Sequence, residues 1–247
     1  MSRYETDQLL AQYAEFHYGD EYFSVPNFPR AMARFALAAL GDRPRRRALD
    51  LGCALGRASL ELARAFDAVT GVDYSPRFIT QANRLAARGS LRYALIEEGE
   101  LVSPRERKLS DLGLDRVCDK VMFLQGDACA LDAGLAGYDL ILAANLIDRL
   151  YDPGRFLGEV ARRINPGGLL VIASPYTWLA EHTPRDAWLG GFKGNDGPVT
   201  TLDGLKAHLR RHFHLLDAPK DMPFVIRETR RKFQHSVSEV TVWERTP

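Results

Sequence analysis

From residue 48 onward, short apolar runs alternate with amphipathic stretches of helical period. The runs 48–51, 68–72, 121–125, 138–144 and 168–173 are almost continuously apolar, as parallel strands covered on both faces are. Between them the pattern predicts helices over 57–66, 76–88 and 153–164. Pro76 and Pro153 each follow a polar residue, at a first-turn position where the missing N–H costs nothing. This alternation predicts an α/β fold with a doubly wound, mostly parallel sheet, whose ligands bind at the carboxyl ends of the strands.

The end of the chain departs from that pattern. Residues 221–229 and 237–244 read as strands joined by about seven residues, too few for a helical crossover, so they should pair antiparallel. Alternation puts Val237, Glu239, Thr241 and Trp243 on one face, and Ser238, Val240, Val242 and Glu244 on the other. It likewise separates Met222, Phe224, Ile226 and Glu228 from Pro223, Val225, Arg227 and Thr229.

Three segments lie outside a core at 48–175. Residues 1–42 form a helical cap: a helix near 6–16, the aromatic loop "HYGDEYFSVPNFP", and a second helix to Leu40 stopped by Gly41. Residues 89–120 are an insertion, in which Ser103-Pro104-Arg105-Glu106 has capping-box spacing and predicts a further helix. Residues 176–200 are too long for a connector and read as a lid. A C-terminal helix and the hairpin complete a single domain over 1–247.

Composition narrows the function. Lys plus Arg number 33 against 32 Asp plus Glu, so no basic stripe dominates, and a duplex nucleic-acid partner is disfavoured. The run from Arg43 to Arg47 reads as a solvated lead-in to a buried strand. Cys53, Cys118 and Cys129 are odd in number and lack metal spacing, which fits free thiols in a reducing compartment. "MSRYETDQLL" has no apolar leader, and no apolar run nears the ~20 residues of a membrane span. The expectation is a cytoplasmic protein with no membrane contact. His17, His182 and His235 share no ligand spacing, so no metal is expected.

The stretch "RRRALDLGCALGRASLELARAF" is a strand, a glycine turn and a helix. A dinucleotide fingerprint needs G-x-G-x-x-G, yet Ala54 fills its middle position and Arg57 its third. No G-K-[ST] follows, so a P-loop is excluded as well. An adenosine ligand without phosphates fits better, and S-adenosylmethionine is one. Asp73, 21 residues after Gly52, ends the second strand where an acid reads a ribose diol. Taken alone, Asp73 also suits a helix N-cap before Pro76. Asp127 and Ala128 follow the third strand, and Asn145 the fourth.

With these residues the chain resembles the class I S-adenosylmethionine-dependent methyltransferases. "ALDLGCALGR", "VTGVDYS", "LQGDA", "YDLILAANLIDRL" and "INPGGLLVIASP" stand in the order of that family's motifs. The resemblance implies a seven-stranded sheet closed by the antiparallel hairpin. It implies that Asp50, Gly52, Cys53 and Gly56 hold the methionine moiety, and Asp73 with Tyr74 the ribose side. Asp127 and Ala128 would hold the adenine, and Asn145 the sulfonium end. Where many members carry His or Glu after the fourth strand, this chain has Asp148-Arg149, so no general base is carried over.

The acceptor site does not read as a nucleic-acid base site, because "AANLIDRL" replaces an N-P-P-Y-like stretch. Outside the core, "YAEFHYGDEYFSVPNFP", "YALIEEGELV", "DAWLGG" with "TLDGLKAHL", and "PFVIRETRRKFQHSVSEVTVW" are similar to the methyltransferase of ovothiol biosynthesis. That enzyme occurs alone or fused to the ovothiol sulfoxide synthase. The resemblance implies methylation of the imidazole π nitrogen of 5-thiohistidine to give ovothiol A, with S-adenosylhomocysteine as by-product. For an amino-acid acceptor, Arg149, Arg227, Arg230 and Lys193 are candidates for its carboxylate, and Glu228 and Glu98 for its amine or ring. Tyr18, Tyr22, Phe23 and Trp188 are candidates for aromatic walls, though the aromatics at 13, 16, 18, 22 and 23 equally suit core packing. Arg227 and Glu228 equally suit solvated edge positions. Another small N, O or S acceptor is the alternative within enzymes; a non-catalytic cofactor-binding module is the alternative outside them.

Overall fold

The computed structural model describes residues 6–195 and 197–247; the first five residues of the expected leader-free start, and Asp196, lie outside them. Two helices come first, α1 (Asp7–Tyr18) and α2 (Phe28–Leu40). Then β1 (Arg47–Leu51), α3 (Arg57–Leu62), β2 (Ala68–Asp73) and α4 (Pro76–Arg88) set the alternation. Asn27, Ser75 and Asp152 cap the helices that open at or beside a proline. The cap before Pro76 is thus Ser75, and Asp73 instead accepts the Ser75 N–H at 2.9 Å.

The insertion forms no helix at Ser103. Its larger part is a two-stranded arm, β3 (Ser90–Glu98) and β4 (Leu101–Lys108), turned at Gly99, whose φ is +56°, and short 3-10 turns follow at Ser110–Leu112 and Asp115–Lys120. Leu91 and Leu95 are buried and Tyr93 half-buried, a period-two pattern along β3 that outweighs the local capping signature. Ser103 donates across the arm to Glu97 instead of capping a helix.

The chain continues with β5 (Val121–Gln125), β6 (Tyr138–Ala144), α5 (Pro153–Val160) and β7 (Ile164–Ser174). A small hairpin, β8 (Phe192–Gly194) with β9 (Gly197–Val199), precedes α6 (Thr201–Leu209), which opens on a capping box at Thr200 and Asp203. The last strands are β10 (Phe213–Leu215), β11 (Lys220–Arg227) and β12 (Phe233–Arg245). The sheet order is β10-β12-β7-β6-β1-β2-β5, with β11 also on β12. β7 takes one edge of β12, while β10 and β11 pair successive stretches of the other. Those two therefore act as one split edge strand, and the sheet has seven positions. β1, β2, β5, β6 and β7 run parallel, and β12 is antiparallel to β7 and to its own hairpin partner β11.

Each face of the sheet buries its own cluster. One joins Phe16, Phe28, Met32, Phe78, Phe224, Val240 and Val242 under the first four helices; the other joins Ile141, Phe156, Leu205 and Trp243 under α5 and α6. Each fully buried Leu, Ile or Phe contributes about 1.5–3 kcal/mol. The expected faces of the closing hairpin hold. At the amino edge, Asp139 accepts the N–H groups of Arg46 (2.9 Å) and Arg47 (3.3 Å), which anchors the arginine run as a lead-in to β1.

Candidate active site

The turn after β1 sits at the carboxyl edge of the sheet. Gly52 and Gly56 have φ of +72° and +79°, which a side chain resists. A Cβ on Gly56 would enter the Phe123 ring. The N–H groups of Gly52 and Cys53 both donate to Val72 O, that of Ala54 to Asp73 Oδ2 at 2.8 Å, and that of Gly56 to Cys53 O. These four donors are used internally, so the turn offers no cradle to a pyrophosphate.

What faces the turn is anionic. Asp50, buried, accepts the Ser59 hydroxyl at 2.6 Å; burial, then the charge of Asp73, lift its pKa to about 6. Asp127 accepts from the Cys129 N–H (2.8 Å) and the exposed Tyr151 hydroxyl (3.1 Å). Such a donor set suits a cationic ligand bearing a diol, and fits phosphate poorly. Cys53 is buried beneath the turn, its thiol raised by burial and the two acids; Tyr74 projects into solvent and Ala128 is half-buried.

Asn145 closes β6 with φ +53°, its N–H on Ala173 O at 2.7 Å and its side-chain oxygen accepting from Ser238 at 2.7 Å. Among the described residues, left-handed backbone outside glycine occurs at Phe23, Ser24, Ala54, Asn145 and Tyr176. All five lie on loops, and three of them stand within three residues of the ends of β1, β6 and β7. Strain of this kind, about 1–3 kcal/mol each, collects where function over-determines the backbone.

The family model for a methyltransferase domain matches residues 49–172. The chain belongs to this methyltransferase family. The methyltransferase is 29% identical over 147 residues to a ubiquinone biosynthesis O-methyltransferase of Caulobacter sp. (strain K31), covering 59% of this chain and 48% of that protein. The chain thus spans about half the length of that relative. It is 27% identical over 214 residues to the 27-O-demethylrifamycin SV methyltransferase of Amycolatopsis mediterranei (strain S699), covering 83% and 67%. Its fold matches the N-methyltransferase NodS from Bradyrhizobium japonicum WM9 in complex with S-adenosyl-l-homocysteine, at 16% identity and a TM-score of 0.55, over 98% of this chain and 100% of that one.

Arg57, at the fingerprint's missing third glycine, ties the cap of the methyltransferase to its turn. Its N–H donates to His17 Nδ1 (3.4 Å), its guanidinium to His17 O (3.2 Å) and to Glu61 (2.9 Å). Burial, and then Arg57, depress the His17 pKa to about 3, so this imidazole stays neutral. Tyr18 is buried in the core and donates to Leu55 O at 2.7 Å, so it props the turn and walls no cleft.

Glu15, fully buried at the end of α1, was invisible in the sequence. It accepts the hydroxyls of Tyr22 and Tyr93 at 2.5 Å each and the Asp20 N–H at 3.2 Å. Burial, then this carboxylate, push Tyr22 to about 12 and raise Tyr93. Arg227 is buried as well, contrary to a solvated edge charge, and donates to Glu97 at 2.9 Å. Tyr22 and Phe23 meet Phe233 with ring centroids 5.0 Å apart. Cap, arm and hairpin thereby assemble on one another.

The remaining candidates disperse. Trp188 donates to Thr183 O (2.9 Å), stacks on Trp178 and carries Arg185 over its ring, within the 176–200 segment itself. In that segment Trp178, Thr183 and Leu189 are buried. Arg149 donates to Asp148 and to Thr177, both carbonyl and hydroxyl. Glu228 lies on the hairpin turn with Lys232 and Gln234, Arg230 is exposed beside it, Lys193 is exposed on β8, and Glu98 is exposed at the tip of the arm. The second O/N cluster that sequence reading missed is Asp148, Tyr176 and Glu239, of which only Asp148 was flagged, as a departure from the family.

Proposed function

We propose that this methyltransferase moves the methyl group of S-adenosylmethionine to the imidazole π nitrogen of 5-thiohistidine, giving ovothiol A and S-adenosylhomocysteine. The observation that carries this reading is the assembly of the extra-core segments. The stretches similar to the ovothiol enzyme meet through Glu15 with Tyr22 and Tyr93, Glu97 with Arg227, and Tyr22 and Phe23 with Phe233. Segments that a shared cofactor fold does not require are here joined into one structure.

In this reading Asp50, Gly52, Cys53 and Gly56 hold the methionine part, Asp73 and Tyr74 the ribose side, Asp127 and Ala128 the adenine, and Asn145 the sulfonium end. The cofactor supplies a methyl carbon on a cationic sulfur. The chain's work is to align a nitrogen lone pair in line with that carbon and keep water out. A neutral imidazole is nucleophilic near pH 7, so no strong base is needed. A carboxylate need only select the tautomer that leaves the π nitrogen unprotonated. The partner is a small molecule, with a functional link to the ovothiol sulfoxide synthase.

Purified protein given S-adenosylmethionine and 5-thiohistidine should release an N-methylated product, read by mass spectrometry. Turnover of histidine or a catechol without turnover of 5-thiohistidine overturns the acceptor. The relatives named for O-methylation make oxygen acceptors the second reading; a phenol must lose its proton, and Asp148-Arg149 stand here where many members place His or Glu.

A further inference from the structure

The carboxyl ends of β6 and β7 lie side by side, and the earlier half of the antiparallel β12 runs past the end of β7. Asn145 follows β6, Ser174 ends β7, and Ser174 pairs with Glu239 of β12. Tyr176, held at φ +54°, donates its hydroxyl to Glu239 Oε1 at 2.8 Å. Asp148, three residues past Asn145, is fully buried. One of its oxygens receives the Thr177 N–H (3.1 Å), the Thr177 hydroxyl (2.8 Å) and Arg149 (3.1 Å). Its other oxygen, Oδ1, has no donor. Tyr176 and Thr177 are consecutive, so one stretch of chain donates to both acids, Tyr176 to Glu239 and Thr177 to Asp148.

The cation balance is uneven. Arg149 is tied down by Asp148 and Thr177, and among the described residues no lysine, arginine or histidine pairs with Glu239. A buried acceptor without a donor is costly, and a ligand that donates to it offsets that cost. The ligand that matches is a cation with several N–H groups.

We propose that Glu239 and Asp148, held by the consecutive residues Tyr176 and Thr177, receive the primary ammonium of the acceptor. This rests on the reading that the acceptor is 5-thiohistidine. The π nitrogen is the ring nitrogen nearer the amino-acid arm, so aiming it at the sulfonium brings the ammonium close to the same point. Two strand spacings, about 10 Å, separate Asn145 from Glu239, a gap that the arm and the glutamate side chain close from both sides. Two carboxylates there also offset the repulsion between ammonium and sulfonium. The site selects zwitterionic amino-acid acceptors over imidazoles that lack the amine.

The test is a steady-state comparison of 5-thiohistidine with its des-amino analogue, 5-thioimidazole-propionate, in the wild type and in Glu239→Gln. The wild type should favour the aminated acceptor by about 10- to 100-fold in kcat/KM, as loss of a charge-assisted hydrogen bond implies. Glu239→Gln should raise KM for 5-thiohistidine by a similar factor, leave kcat within about threefold, and erase the preference between the two acceptors. Asp148→Asn should do the same if it folds; Glu239→Gln, on a half-buried side chain, carries the test without it. Equal use of both acceptors by the wild type, or an equal KM increase for both in the variant, overturns the ammonium site while leaving the function standing. Failure of the wild type to methylate 5-thiohistidine overturns the function and this site together.

Discussion

The main-chain N–H of Ala54 donates to the Asp73 carboxylate at 2.8 Å, so the acid that ends β2 also closes the turn that follows β1. Its other oxygen holds the N–H of Ser75 at the start of α4. A ribose diol bound at the end of β2 would donate to this same carboxylate. Asp73→Ala should therefore weaken S-adenosylhomocysteine binding by ~1–3 kcal/mol. Asp73→Asn, which keeps one acceptor oxygen, should lose less. Calorimetry on both variants checks this, and an unchanged affinity in the alanine variant removes Asp73 from the cofactor site.

Two buried groups near the turn respond to acid with opposite signs. His17 is depressed to about 3, so the unfolded chain takes its proton first, and stability is lost as pH falls below about 6.5. Asp50 is raised to about 6 from 3.8, so the folded chain binds its proton first, and stability falls as pH rises between those values. Between pH 6 and 4 the two oppose each other. Asp50→Asn removes the compensation and should lose stability on acidification faster than the wild type. His17→Gln should instead lose little across that window. Urea titrations at pH 7, 6, 5 and 4 separate these outcomes.

Gly56 is the position least tolerant of a side chain in the turn. Alanine there meets the Phe123 ring and a φ of +79° together. Gly56→Ala should cost about 1–3 kcal/mol, seen as a lower Tm. Adding Phe123→Leu should recover the part due to the ring and leave the part due to the backbone. Full recovery in the double variant means that backbone strain contributes nothing.

Glu15→Ala deprives two half-buried tyrosine hydroxyls of their acceptor, at about 1 kcal/mol for each hydrogen bond lost. The cap loop and the arm should loosen together. Limited proteolysis should cut residues 19–27 and 97–102 sooner, while α4 and the sheet stay resistant. Unchanged cleavage at both sites shows that the apolar contacts alone hold the cap.

The strands 121–125 and 138–144 and the helix 76–88 were legible to the residue, because a buried parallel strand and a proline-opened amphipathic helix leave strong periodic patterns. The antiparallel closing pair followed from the length of its connection. The arm departs from the helix expected at Ser103, because a four-residue capping signature is local while the alternation of Leu91, Tyr93 and Leu95 is fixed by the surface they pack on. The glycine turn after β1 was legible as a turn, since its residues are consecutive and two of them are glycines held at positive φ. Glu15, Tyr176 and Glu239 could not, since each gains meaning only from partners 7 to 78 residues away. Arg227 looked like an edge charge because nothing local announces that Glu97, 130 residues earlier, lies across from it.

The closure of cap, arm and hairpin on one another bears on how this scaffold could be altered in the laboratory. No one of the three segments holds a complete set of partners; each supplies what the others lack. Exchanging a single loop with a relative would strand a buried acid or a buried arginine. Any graft onto this scaffold is thus a three-part replacement, in which the turn after β1 need not alter at all.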